Sequence, residues 1–80
     1  MREDLLRSVR YDKLRELLIL ARKQAGLTQT ELAQRLGRSQ PFISEIERGV
    51  RYLDVVEFVY LAEALGVGPG ELLEKVAKER

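Results

Sequence analysis

The chain has 80 residues, a formal net charge of +1, and neither cysteine nor histidine. This length supports one domain with a single modest core, and the missing residue types exclude disulfides, thiolate metal sites and the commonest catalytic base. No apolar run approaches the roughly 18 residues of a membrane-spanning helix, and charged residues interrupt Leu5, Leu6 and Val9, which argues against a signal peptide. We therefore expect a cytoplasmic protein.

The charges are distributed unevenly along the chain. Residues 1–51 carry eleven Lys and Arg against seven Asp and Glu, whereas residues 52–80 carry three against six. A basic half beside an acidic half is expected of a small protein that presents one face to phosphates. Ordinary solvated helix faces would give the same counts, so charge alone leaves both interpretations open.

The N-terminal part of the chain predicts a lead-in and one amphipathic helix. Residues 1–10 are interpreted as an N-terminal arm or as a lead-in to a first helix capped at Ser8, and residues 11–80 as the domain itself. The first helix is predicted over residues 11–25. Its buried side consists of Leu14, Leu17, Leu18 and Ala21.

Residues 28–49 carry the start signals of two short helices. Thr28 is placed to cap the first helix, with Glu31 reaching back in a capping box. Ser39 is placed to cap the second helix, with Pro41 in its first turn. Two helix starts this close together predict a pair of helices joined by a tight turn.

The apolar residues of these two helices recur with helical spacing. They are Leu32, Ala33 and Leu36 in the first helix and Phe42, Ile43 and Ile46 in the second. The small Ala33 side chain allows close approach, and Gly37 permits the left-handed backbone that a tight interhelical turn requires. The segment therefore predicts a helix-turn-helix.

Two further helices are predicted after this motif. Asp54 and Glu57 indicate the start of a fourth helix, which is apolar over much of its circumference up to Gly66 and should therefore be central and buried. A fifth helix is predicted over residues 70–79; it has weak helix-start signals and needs packing for stability. Since no segment has a strand pattern, the architecture is all-α, with five helices around one core.

The segments AGLTQTELAQRLG, SQPFISEIERG, LDVVEF and ALGV occur in the order typical of one known family. Over residues 11–73 the chain resembles the lambda-repressor-like, or Xre-like, transcriptional regulators of bacteria and phages. The resemblance implies a five-helix DNA-binding domain with a central helix-turn-helix, whose third helix enters the major groove. It also implies that Gln29 contacts the DNA backbone and that Arg22 and Glu47 form a structural ion pair.

The polar side of the second motif helix supplies candidate base-reading residues. These residues are Gln40, Pro41, Ser44 and Glu45. An α-helix fits the major groove, where side chains near its N-terminal end read base edges. There the Gln40 amide can pair with adenine N6 and N7, Ser44 can bond several base edges, and Pro41 can touch a thymine methyl group. We therefore expect residues 40–47 to read the major groove.

Glu45 has the wrong sign for a groove lined with phosphates, and two interpretations are open. Its carboxylate can accept a hydrogen bond from a cytosine N4 amine. Alternatively, it can pair with Arg48 three residues further along the helix and read nothing. We favour the first interpretation, because a negative charge on this face would otherwise oppose binding to every sequence.

Candidate phosphate-binding residues surround this helix. They are Thr28, Gln29, Arg38, Arg48 and Arg51. The first two lie at a helix start, where free backbone N–H groups and the positive end of the helix dipole favour an anion. The three arginines lie on either side of the reading helix and are placed to straddle the groove.

These patterns favour a sequence-specific double-stranded DNA-binding regulator. We expect a repressor, because steric occlusion of a promoter needs no additional domain. The small reading surface of one domain favours a homodimer on a palindromic operator. The candidate dimer-interface residues are Val55, Val56, Tyr60 and Leu72.

The alternative is a helix-turn-helix protein-interaction module, such as an antitoxin-like partner. Ile19 and Leu20, which lie off the buried stripe of the first helix, would supply its surface together with Val56 and Tyr60. Catalysis is not expected, because the acidic residues occur without His, Cys, a phosphate loop or a spaced set of metal ligands. No cofactor or metal is implied.

Overall fold

The computed structural model describes residues 2–80, and side chains from residue 5 onward. A 3₁₀ helix, Arg2–Arg7, precedes five α-helices. These are α1 (Val9–Gln24), α2 (Gln29–Arg35), α3 (Gln40–Arg48), α4 (Val55–Leu65) and α5 (Pro69–Lys78). Residues 2–80 contain no strand, which confirms the predicted all-α, five-helix fold. Within the same residues, no helix has the length and apolar character that a bilayer crossing requires.

The N-terminal cap of α1 forms as predicted, although the helix starts earlier. Ser8 Oγ accepts a hydrogen bond from the backbone N–H of Tyr11 at 3.1 Å, and α1 begins directly after Ser8 rather than at residue 11. The guanidinium of Arg15 donates to the carbonyl of Leu6 at 3.0 Å. This bond attaches the 3₁₀ helix to α1.

The capping box predicted at Thr28 is present, and the helix start predicted at Asp54 also forms a capping box. Thr28 Oγ1 accepts from the N–H of Glu31 at 3.1 Å, and Glu31 Oε1 accepts from the N–H of Thr28 at 2.9 Å. Asp54 and Glu57 make the same reciprocal bonds at 2.7 and 3.1 Å. The N–H of Thr28, followed by its hydroxyl, lowers the pKa of Glu31 below its ordinary value, so this carboxylate stays ionised at the start of α2.

The predicted side-chain cap of α3 is wrong. Ser39 occupies the cap position with an extended backbone, but its hydroxyl makes no capping hydrogen bond. A capping hydroxyl bonds the N–H of the second or third helical residue. Here the second is Pro41, which has no N–H, and the N–H of Phe42 donates to the backbone carbonyl of Ser39 at 3.1 Å. Neither donor is free for the hydroxyl.

All five α-helices contribute side chains to one core. It consists of Leu18, Ala21, Leu32, Ala33, Phe42, Ile43, Ile46, Phe58, Leu61, Ala62, Leu65 and Leu72. Ala33 is only 1% exposed, and Gly37 has a φ of +66° in the turn between α2 and α3. Four core residues come from α4, as expected for a helix that is apolar over much of its circumference. The helix-turn-helix is thus built on the remaining helices.

The last helix is anchored by a contact that sequence analysis did not anticipate. α5 runs over Pro69–Lys78, one residue earlier at each end than predicted. Arg10, on α1, donates to the carbonyls of Ala77 and Glu79 at 3.0 and 2.9 Å. These carbonyls lie at the C-terminal end of α5, where helices leave acceptors unpaired. Arg10 and the burial of Leu72 therefore supply the packing that this weakly capped helix needs.

Candidate nucleic-acid interface

The first two turns of α3 carry the predicted base-reading residues. Gln40 and Pro41 are exposed, whereas Ser44 and Glu45 are half-buried. The opposite side of the helix is buried in the core. The amphipathic pattern of α3 is therefore realised, with its N-terminal end most open to a ligand.

A mostly buried ion pair connects α1 to the end of α3. Arg22 Nε donates to Glu47 Oε2 at 2.7 Å, and Arg22 Nη2 donates to Glu47 Oε1 at 3.0 Å. Only 12% of the Arg22 side chain and 9% of the Glu47 side chain are exposed. Arg22 Nη1 also donates to the carbonyl of Leu27 at 2.8 Å. This two-point geometry holds both side chains in one orientation.

A chain of hydrogen bonds leads from the same carboxylate to α2 and back to α3. Gln29 Nε2 donates to Glu47 Oε1 at 2.9 Å, and Gln40 Nε2 donates to Gln29 Oε1 at 2.7 Å. The resulting chain of hydrogen bonds, which we call the relay, runs Arg22–Glu47–Gln29–Gln40. Both glutamines are the first residue of their helices, so the relay joins the starts of α2 and α3.

The relay sets the orientation of both amides. An ionised carboxylate only accepts hydrogen bonds, so Gln29 must present its NH₂ group to Glu47 and its carbonyl oxygen to Gln40. Gln40 must then use one N–H towards Gln29. Its own oxygen and its second N–H remain available side by side, which is the donor–acceptor pair that complements N6 and N7 of adenine.

At the start of α2, the capping box occupies the backbone N–H of Thr28. The N–H and hydroxyl of Thr28 are both engaged by Glu31, whose ionised carboxylate lies beside the helix end. Thr28 therefore serves as the cap of α2, while its hydroxyl hydrogen can still donate to an anion, so its predicted phosphate contact stays a prediction. The backbone N–H groups of Gln29 and Thr30 are the donors that this helix end can still offer an anion.

Two of the three predicted phosphate-binding arginines are already in ion pairs. Arg51 Nη2 donates to Glu57 Oε2 at 3.1 Å, and Arg38 Nη1 contacts the same oxygen at 3.5 Å. Both guanidinium groups lie over the Phe42 ring, at 3.8 Å for Arg38 and 4.7 Å for Arg51. We call these four residues the arginine cluster. The sequence does not reveal this role of Glu57, because a capping box identifies a partner for only one of its two oxygens.

Arg48 and Glu45 do not form the ion pair considered above. Among the side chains that the structure describes, Arg48 has no acidic partner within 4.0 Å, and it is exposed. Glu45 is half-buried on the polar side of α3 and likewise lacks a cationic partner in that set. Its charge is therefore not neutralised by Arg48 in the free chain.

Three of the four predicted dimer-interface residues are exposed on α4. Val55, Val56 and Tyr60 are 76%, 63% and 62% exposed. Leu72 is instead 6% exposed, because α5 turns this side chain into the chain's own core, and it is therefore removed from the candidate surface. On α1, Leu20 is 52% exposed and Ile19 is half-buried, so the predicted second apolar patch is smaller.

Comparisons with known proteins match this chain to helix-turn-helix proteins. The family model described as Helix-turn-helix (HTH_3) matches residues 18–72. An uncharacterized HTH-type transcriptional regulator, y4dJ of Sinorhizobium fredii, is 46% identical over 52 residues, which is 65% of this chain and 68% of that protein.

Solved structures give the same result at the level of the fold. An XRE-family like protein from Pseudomonas syringae has a TM-score of 0.85 and 43% identity, with 95% of this chain and 93% of that chain covered. The clp gene regulator ClgR from Corynebacterium glutamicum has a TM-score of 0.78 and 26% identity, with 90% and 92% covered.

The buried ion pair makes a prediction about stability. We expect Glu47→Ala to lower the free energy of unfolding by about 1.5–3 kcal/mol, because it removes the hydrogen-bonded counter-charge of Arg22, whose side chain is mostly shielded from water. The double variant Arg22→Met, Glu47→Leu should recover most of this loss, since it leaves no buried charge. Urea melts would measure both effects.

The exposed pair of Asp12 and Arg15 on α1 provides the control. Asp12 is 53% exposed, so Asp12→Asn should change stability by less than about 1 kcal/mol. A cost for Glu47→Ala no greater than that of Asp12→Asn would contradict the structural role of the buried pair.

Proposed function

Because the chain belongs to the helix-turn-helix family of Xre-like transcriptional regulators, we propose that it is a sequence-specific double-stranded DNA-binding repressor. In this proposal α3 reads the major groove. The observation that carries it is the relay, which orients the amide of Gln40 at the exposed N-terminal end of α3. An amide with a set orientation discriminates between bases, whereas a freely rotating one matches several of them.

The base contacts follow from the chemistry of each side chain. Gln40 pairs with adenine through its free oxygen and second N–H, and Pro41 packs against a thymine methyl group. Ser44, one turn further along α3, bonds an adjacent base edge. Glu45 accepts a hydrogen bond from a cytosine N4 amine. This assignment is supported by the ion pairs among the described side chains, which do not include one between Glu45 and Arg48.

Phosphate contacts hold α3 in register on the duplex. The N–H groups at the start of α2 face one strand, together with the remaining N–H of the Gln29 amide. Arg48, exposed at the end of α3, contacts a second phosphate. Arg38 and Arg51 lie in the segments before and after α3 and contact phosphates on either side of the groove.

Repression follows most simply from occupancy, because a protein seated in the major groove blocks access to the same DNA. We further propose a homodimer that meets through Val55, Val56 and Tyr60. Two-fold symmetry would place the two α3 helices about 34 Å apart, on successive turns of one DNA face. The operator would then be palindromic, with one half-site for each protomer.

Selection from a random duplex pool tests the proposed function. The wild-type chain should enrich one motif, and Gln40→Ala should lose about 1–3 kcal/mol of discrimination at one base position of each half-site. The free energy of unfolding, measured by thermal melts, should differ between the two proteins by less than about 0.5 kcal/mol, because Gln40 is exposed. If the wild type enriches no motif and instead retains a protein partner, the protein-interaction alternative is favoured.

Glu45 provides an independent test of base reading. We expect Glu45→Gln to weaken binding to the preferred site and to relax the preference at one base position of each half-site, because the amide cannot replace the carboxylate as a pure acceptor. Titrations on the preferred duplex and on single-base variants would measure this. If the variant binds every sequence more tightly by one common factor, Glu45 is a repulsive surface charge.

The oligomeric state tests the α4 surface. Sedimentation should show a concentration-dependent dimer for the wild type and a monomer for the double variant Val56→Lys, Tyr60→Lys, because lysines cannot be buried there without partners. Leu20→Lys, which changes the exposed apolar residue on α1, is the control and should remain dimeric. A wild type that stays monomeric both free and on a two-half-site duplex would rule out the dimer.

A further inference from the structure

The carboxylate of Glu57 makes two kinds of contact. One oxygen belongs to the capping box of α4, and the other forms ion pairs with two arginines. Glu57 Oε1 accepts from the N–H of Asp54 at 3.1 Å, and the N–H of Glu57 donates to Asp54 Oδ1 at 2.7 Å. Glu57 Oε2 faces Arg51 at 3.1 Å and Arg38 at 3.5 Å. The capping box thus anchors this carboxylate to the backbone of α4, so it cannot follow the arginines if they move.

The two arginines come from opposite ends of α3. Arg38 precedes the helix and Arg51 follows it, and both stack on Phe42, a residue of the helix itself. Phe42 is 7% exposed, so the aromatic surface against which the guanidinium groups rest is a rigid part of the core. The position of each charge relative to α3 is therefore set by two contacts, one ionic and one cation–π.

Restraining Arg38 and Arg51 should affect specific and non-specific DNA binding to different extents. A free arginine side chain has many rotamers and can reach phosphates in many orientations of the protein, which favours non-specific binding. A restrained pair meets phosphates only where the backbone passes the two held positions. If the two held positions match the phosphates that flank α3 in the groove, the seated complex keeps the contacts with Glu57, whereas other encounters must first break them.

We propose that Glu57 is a positioning residue that determines specificity by restraining Arg38 and Arg51, and so selectively weakens binding to non-specific DNA. This inference rests on the proposed function, because it requires α3 to bind a preferred duplex. It goes beyond that function by assigning discrimination to a residue on α4 that need not touch DNA.

The charge state of Glu57 is consistent with this role. The N–H of Asp54, and then the hydrogen bond and charge of Arg51, lower the pKa of this carboxyl below its ordinary value, although burial partly opposes the shift. Glu57 is therefore ionised under ordinary conditions. Its negative charge offsets part of the field that the two guanidinium groups would otherwise present to any phosphate.

The variant Glu57→Gln separates the two functions of this side chain. Glutamine also serves in a capping box, so the start of α4 is preserved, while the charge that holds the arginines is lost. Glu31→Gln is a matched control: it makes the same change in the capping box of α2 and adds the same unit of charge. Among the described side chains, Glu31 has no arginine within ion-pair distance. Because its charge lies beside the start of α2, we expect its loss to raise affinity for both duplexes by the same factor, so the ratio of the two affinities is the quantity compared.

Binding to the selected duplex and to a scrambled duplex would be measured for all three proteins over a range of salt concentrations. For Glu57→Gln we expect affinity for the scrambled duplex to rise on the order of tenfold. The variant removes two ion pairs that non-specific binding must otherwise break, and each is worth up to about fivefold in affinity. Its salt slope should steepen by about 0.9 for each additional phosphate that an arginine neutralises. The ratio of specific to non-specific affinity should fall for Glu57→Gln and stay unchanged for Glu31→Gln.

A second measurement needs no DNA. Nitrogen-15 relaxation of the arginine side chains should show greater picosecond-to-nanosecond motion of Arg38 and Arg51 in Glu57→Gln than in the wild type. An unchanged affinity ratio, or equal ratios in the two variants, would overturn this inference while leaving the proposed function intact. A wild type without any preferred duplex would overturn both.

Discussion

The carboxylate of Glu47 is the contact on which the proposed recognition surface depends. It binds Arg22 of α1 through both oxygens and Gln29 of α2 through one of them, although Glu47 itself belongs to α3. Burying two opposite charges contributes little net stability, because the lost hydration offsets most of the attraction. What the pair supplies is direction: an ionised acceptor at one end of the relay dictates how each following amide must point.

The hydrogen bonds of the relay are possible only because the helices pack closely. The donor–acceptor distances along it lie between 2.7 and 3.0 Å. If α2 and α3 moved slightly apart, the distance between Gln29 and Gln40 would become too long for a hydrogen bond. Ala33, which is almost fully buried between the helices, has no side-chain bulk to hold them apart. Core packing and polar orientation are thus linked, since a larger residue at this point would also disconnect Gln29 from Gln40.

Electrostatics at this surface are governed by pairing more than by composition. Residues 1–51 contain an excess of cationic residues, yet Arg22 is neutralised by Glu47 and the pair of Arg38 and Arg51 shares Glu57. The excess counted for residues 1–51 already subtracts Glu47, but it overstates the positive field near α3, because Glu57, from outside that range, offsets part of the charge of Arg38 and Arg51. In the proposed complex, Arg38 and Arg51 would therefore act as fixed contact points and not as a diffuse positive patch.

The division between what sequence and tertiary structure determine follows the range of the interactions. The capping box of α2, the helix-turn-helix pattern and the apolar sides of α1, α2 and α3 depend on residues three or four positions apart, and these were predicted from the 80 letters alone. Resemblance to a family also implied the pairing of Arg22 with Glu47. The cap of α3 failed because Pro41 removes one donor and the carbonyl of Ser39 takes the other.

Only the packed structure decided which side chains meet across helices. The bond between Gln29 and Gln40 spans 11 positions, and that between Arg38 and Glu57 spans 19. Leu72 and its neighbour Leu73 are chemically identical in the sequence, but one is buried and the other is 50% exposed. Periodicity defines the faces of a helix, whereas the partner that covers each face depends on how the helices cross, because contacts between distant residues form only when the whole core assembles.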